Sequence, residues 1–175
     1  MSIPKMAALA AGTLALILTT ATMTGCGDAV AQAIEPVVTD PVGVWFGRAL
    51  PDDPATSPFP EVVMIPQFFA DGNLIASDSV ELLPHGNAHG RWIRVSDDTV
   101  RVTFLWQNLS AAAPNGYGGA FRVVMTVTIP AGDPDSATGN LVARVYGPME
   151  DPLDPMQGAD AGSFTIVELR RLHAF

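Results

Sequence analysis

One thiol, three imidazoles and a surplus of carboxylates are the groups in this chain that could do chemistry. The thiol is Cys26, the single cysteine of 175 residues. One cysteine cannot form an intramolecular disulfide, and beyond Cys26 no thiolate nucleophile or Cys-based metal site can be built. His85 and His89 stand four residues apart, a spacing that suits a metal on a helical face. Pro84, Gly86 and Gly90 oppose a helix there, and the third histidine, His173, sits at the tail. No metal or other cofactor is expected. His89 reads as a strand-start residue bonding to a neighbouring carbonyl. A lesser role, as an acid or base at a cavity mouth, stays open to it because imidazole titrates near neutral pH.

The carboxylates crowd into loops: Asp52 and Asp53, Asp97 and Asp98, Asp133 and Asp135, then Glu150, Asp151, Asp154 and Asp160. The spacing of Asp151 and Asp154 hints at calcium, but no Asp-x-Asp-x-Asp-Gly loop ends in a distant glutamate. Solvated loop charge is the expectation. No Gly-x-Ser-x-Gly elbow signals a hydrolase nucleophile, and no phosphate-cradling glycine loop precedes a helix. Asn108-Leu109-Ser110 matches a glycosylation sequon and is expected to be a chance match. Nine basic against eighteen acidic residues give a formal charge of −9. An acidic domain does not seek nucleic acid or anionic headgroups through general electrostatics, so no nucleic-acid partner is expected.

The elements that must position these groups read as strands. Alternating apolar runs separated by Gly, Pro, Asp and Asn dominate from Val42 onward, and helical periodicity is nearly absent. The runs cover residues 42–50, 62–69, 74–80, 89–95, 99–106, 121–129, 141–146 and 163–172. Pro51, Pro54, Pro58 and Pro60 make an irregular connection after the first run. Pro66 inside the second suggests an edge position or a bulge. Ala70-Asp71-Gly72-Asn73 and Ser96-Asp97-Asp98 are short turns. In the fifth run Val100, Val102, Phe104 and Trp106 share one face; in the sixth, Phe121, Val123, Met125, Val127 and Ile129 do. Eight sequential strands with short turns predict an all-β, antiparallel meander closed into a barrel, which removes both sheet edges. A β-sandwich with longer crossovers is the alternative. Such a barrel has room for packed side chains or one small ligand. Phe104, Trp106, Phe121 and Met125, with Trp92 and Tyr146, are the large side chains available either to fill it or to form the mouth for an apolar ligand.

The N-terminal segment has its own grammar. Lys5 is followed by a largely apolar stretch from Ala7 to Leu18, too short to span a bilayer, and then by Met23-Thr24-Gly25-Cys26. This resembles the signal peptides of bacterial lipoproteins. The resemblance implies export to the cell envelope, removal of residues 1–25 and a lipid on Cys26 that holds the protein to a membrane. Residues 26–40, with Pro36 inside, read as a tether, and residues 41–175 as the barrel domain.

Gly43-Val44-Trp45 at the opening of the first strand, with Arg170 and Arg171 near the end of the last, resembles the calycin pattern of lipocalins and lipocalin-like bacterial proteins. The blocks Phe69-Ala70-Asp71-Gly72-Asn73-Leu74 and His89-Gly90-Arg91-Trp92 carry the same likeness. The resemblance implies that Trp45 closes one end of the barrel under a guanidinium, from Arg170 or Arg171. Alternation allows only one of that pair to face inward. It further implies that a small hydrophobic molecule is bound or carried inside. Two other readings stay open: a cofactor-free barrel enzyme of cyclase or isomerase type, which would need Arg122, Tyr146 or His89 pointing inward, or a structural envelope protein with a filled core, acting through loops 111–119 and 147–162.

Overall fold

The computed structural model describes residues 38–79 and 85–173, and among these it is all-β, with no helix. The strands are β1 (Gly43–Pro51), β2 (Val62–Phe68), β3 (Asn73–Asp78), β4 (Ala88–Arg94), β5 (Thr99–Leu109), β6 (Tyr117–Thr128), β7 (Ser136–Tyr146) and β8 (Ala159–Arg171). Each pairs antiparallel with the next, and β1 also pairs with β8, from Trp45↔Arg171 to Pro51↔Phe164. The meander is therefore a closed barrel, and the sandwich alternative falls away.

Closure turns one face of every strand inward. Val100, Val102, Phe104 and Trp106 of β5 and Val123, Met125 and Val127 of β6 are all buried, as the period of two requires. Pro66 does not mark an edge, because the barrel has none. The β1–β2 register runs Gly43↔Phe68 and Val44↔Gln67, then resumes at Gly47↔Met64. Pro66 falls in the interruption, where its missing N–H removes no ladder bond on that side. β7 starts five residues before the expected strand. Ser136, Gly139 and Asn140 have turn composition, yet pairing with β6 and β8 holds them extended. At Gly139 a Cβ would run into the Thr126 carbonyl oxygen, so glycine here permits the close approach of two strands rather than a turn.

Connections alternate between the two ends. Connections of four, four and seven residues join β2 to β3, β4 to β5 and β6 to β7 at one end, which a strap at residues 38–42 helps to seal. Thr39 donates its backbone N–H to the Asp97 carbonyl at 3.0 Å and accepts from Arg94 Nη2 at 2.6 Å. Trp45 is 1% exposed and donates its indole N–H to the Pro41 carbonyl at 2.8 Å. The Arg171 guanidinium carbon lies 4.6 Å from the Trp45 ring centroid, a cation–π contact. The same guanidinium donates to the carbonyls of Val42 and Asp40 and pairs through Nε with Asp135 at 3.1 Å. Arg170 points outward to Glu168. Arg171 is thus the arginine that caps Trp45.

The turn carboxylates are set for ionisation. Hydrogen bonds from the Ser96 and Thr99 hydroxyls hold Asp98 below the ordinary carboxylate range, and the Asn73 backbone N–H does the same for Asp71. Folding lowers both pKa values, so their stabilisation is complete above the unfolded pKa and is lost as pH falls through the folded one. The urea midpoint should stay level near neutrality and fall below about pH 4. An NMR titration placing Asp98 at or above an unperturbed aspartate would contradict this. Trp45→Ala should cost about 3–5 kcal/mol in urea unfolding, the usual loss for a buried large aromatic.

The candidate functional site at the open end of the barrel

Connections of ten, nine, seven and twelve residues join β1 to β2, β3 to β4, β5 to β6 and β7 to β8 at the end opposite Trp45. Just inside this end, Phe104, Trp106 and Phe121 form a stack. Trp106 lies 5.8 Å from Phe104 at 26° and 5.2 Å from Phe121 at 14°, centroid to centroid. The stack arises because β5 and β6 pair in register, Trp106↔Phe121, with both inner faces apolar. Beside it is a cavity of about 40 Å³, walled by these rings with Met64, Leu141 and Phe164. That space suits a few waters at most. Most of the barrel is filled by side chains.

Above the cavity lies an open cleft of about 680 Å³, within the size range of small-molecule sites. Its rim carries Asp52, Asp53 and Asp160, and its apolar floor includes Val145 and Ala161. Phe59 and Phe121 border both spaces. Phe59 comes from the proline-rich connection between β1 and β2 and is 9% exposed. Its backbone carbonyl accepts the Ser57 hydroxyl at 2.8 Å, and Asp53 caps the preceding turn through Ala55 N and Thr56 Oγ1. Phe59 on the surface loop and Phe121 on the barrel wall therefore stand between cleft and cavity.

Polar groups collect on one side of this mouth. Asp78 follows Leu74 and Ala76 on the inner face of β3 and borders the cavity. His85 Nε2 lies 3.4 Å from Asp78 Oδ1, its Nδ1 donates to the Gly86 carbonyl at 2.9 Å, and its ring lies 5.4 Å from that of Trp106. Asn108 continues the inner face of β5 and is 7% exposed. The Asp52 carboxylate, on the cleft rim, accepts hydroxyls from Ser163 and Thr165, which hold it below the ordinary range.

The expected ligand residues separate by position. Phe104, Trp106 and Phe121 come together at the cavity. Met125 is fully buried in the core, away from the cavity lining. Trp92 lies toward the sealed end, donating its indole N–H to the Phe69 carbonyl at 2.9 Å and meeting Phe68 edge-on at 6.4 Å. Tyr146 is on the outer face. It pairs with Ala120, out of phase with the inward Phe121, and its hydroxyl donates to the Asp154 carbonyl at 3.4 Å beneath the β7–β8 loop. Arg122 also faces outward, donating to the Leu153 carbonyl at 3.4 Å, and His89 is exposed. None of the three points into the lumen, as the enzyme reading needed. Among the described residues no cluster of three or more His, Cys, Asp or Glu is placed to hold a metal. Cys26 lies outside the described residues.

Asp78 and Phe59 went unnoticed in the sequence. Asp78 carried a signal, since it keeps the alternation of Leu74 and Ala76. Phe59 carried none beyond being an aromatic among prolines. No family model, curated protein or solved structure matches the chain, so the site is interpreted from its own geometry.

A double-mutant cycle, Trp106→Ala against Phe121→Ala, should give a coupling of about 0.5–1.5 kcal/mol in urea unfolding. Strict additivity would mean the two rings do not share one stack.

Proposed function

We propose that this protein is a lipid-anchored, lipocalin-like barrel of the bacterial cell envelope that binds or carries a small hydrophobic molecule at its open end. The anchor is the lipid expected on Cys26. Several acyl chains hold a protein at a membrane more firmly than one, at about 0.8 kcal/mol per buried methylene. The likeness to calycins gains support from Trp45 under Arg171 at the start of a closed meander. The observation that carries the ligand reading is the pairing of an apolar cavity with a cleft of ligand size, with Phe59 and Phe121 bordering both. The ligand enters as Phe59 swings out with its loop and its apolar body packs on the Phe104–Trp106–Phe121 stack.

The filled core together with exposed Met149, Leu153 and Met156 on the β7–β8 loop favours a second reading, a structural envelope protein that docks a partner there. The two readings part on one titration. The neutral fluorophore N-phenyl-1-naphthylamine should bind saturably at one site and quench tryptophan emission. Phe59→Ala should tighten it about tenfold, because the closed ring no longer has to be displaced. No saturable binding by either protein would remove the carrier reading and leave the structural one.

A further inference from the structure

Of the four buried side-chain polar atoms that have no hydrogen-bond partner among the described residues, two lie together on one strand. β5 carries Phe104, Trp106 and Asn108 in succession on its inner face as it approaches the open end. Trp106 and Asn108 are each 7% exposed. The indole Nε1 of Trp106 and the side-chain Oδ1 of Asn108 are both buried without a hydrogen-bond partner among the described residues. One is a donor only, the other an acceptor. Native proteins rarely bury such atoms unpaired, because each loses its water and gains nothing in return. Trp106 itself lines the apolar cavity, and Asn108 stands two residues farther along the same strand face toward the open end.

We propose that this donor and acceptor form a hydroxyl-binding site, so that the ligand of the barrel is an apolar alcohol. The proposal rests on the carrier reading and narrows it to a chemical class. A hydroxyl oxygen accepts from the indole N–H while its proton goes to the Asn108 oxygen, so a single group satisfies both. A carboxylate satisfies only the indole, because it has no proton to give to Asn108. It would also bring negative charge beside Asp78 and toward the Asp52, Asp53 and Asp160 rim. An ammonium group suits the carboxylates but leaves the indole N–H unpaired. An ether accepts from the indole and leaves Asn108 unanswered. The site selects for a neutral group that both donates and accepts, attached to a body that the aromatic stack can cover. Selection of this kind is strong because the wrong ligand leaves a buried polar group unpaired.

Calorimetric titration of the full chain with 1-decanol, decanoate and decyl methyl ether tests this, with each ligand kept below its aggregation limit. The alcohol should bind at least about tenfold more tightly than either of the others. In Asn108→Leu the preference over the ether should shrink to roughly twofold or less, because alcohol and ether then answer the indole alike, whereas Trp106→Phe should weaken both and leave that preference in place. Equal affinities for all three ligands in the unaltered protein, or a preference over the ether that survives in Asn108→Leu, would overturn the hydroxyl site and leave the carrier reading standing. Binding of none of the three by the unaltered protein would remove the carrier reading and the hydroxyl site together. The comparison among ligands uses the unaltered protein, so it decides the matter even if a variant fails to fold.

Discussion

The pairing of β1 with β8 is the constraint from which the remaining structure follows. A sheet of eight strands with two free edges would expose two rows of backbone donors and acceptors. Joining Trp45–Pro51 to Phe164–Arg171 removes both edges at once. It also converts the two faces of a sheet into an inside and an outside. Residues in one phase become core and those in the other become surface. Small side chains and glycines fall where strands crowd: Gly47 faces Leu169 and Met64, and Gly139 lies against Thr126. The apolar interior contributes most of the stability, since closure hides its residues from water on every side.

The two ends of the barrel are finished in opposite ways. At one end a large indole, a guanidinium and several backbone carbonyls interlock. At the other, a stack of three aromatic rings lies just inside the mouth, and Phe59 from a proline-rich loop borders both the cavity and the cleft outside it. The β7–β8 loop shows how firmly such a connection can be held. Asp151 and Asp154 accept backbone N–H groups from Leu153 and Met156, Gln157 bridges them, and Arg144 and Arg122 donate to loop carbonyls from the outer wall. The carboxylates that looked like solvated charge in the sequence are in part spent on holding backbone.

Much of the fold was legible because strand alternation is a strong local signal. β5 and β6 show it over their whole length, and the Asp-Gly and Ser-Asp-Asp turns mark where the chain reverses. Gly43-Val44-Trp45 located the sealed end. Less legible were features that depend on partners far away in sequence. Ser136–Asn140 has turn composition and becomes strand only because β6 and β8 flank it. Tyr146 was grouped with the interior for its size, although its phase within the run from Leu141 places it outside. His85 sat in a stretch dominated by Pro84 and Gly86, where no period exists to show that the chain brings it against Trp106 and Asp78. Phe59 lies among prolines, and only the closed barrel beneath it makes it a cover. The unpaired indole N–H and amide oxygen could not be read at all, since satisfaction of a polar group is a property of its surroundings.

Closure is tested most directly by NMR on the β1–β8 seam. A closed barrel should give cross-strand backbone contacts between Trp45 and Arg171 and between Gly47 and Leu169, with β1 amides as slow to exchange as those of β5 and β6. Missing contacts across that seam, with β1 and β8 amides exchanging freely as edge strands do, would mean an open sheet with no enclosed interior.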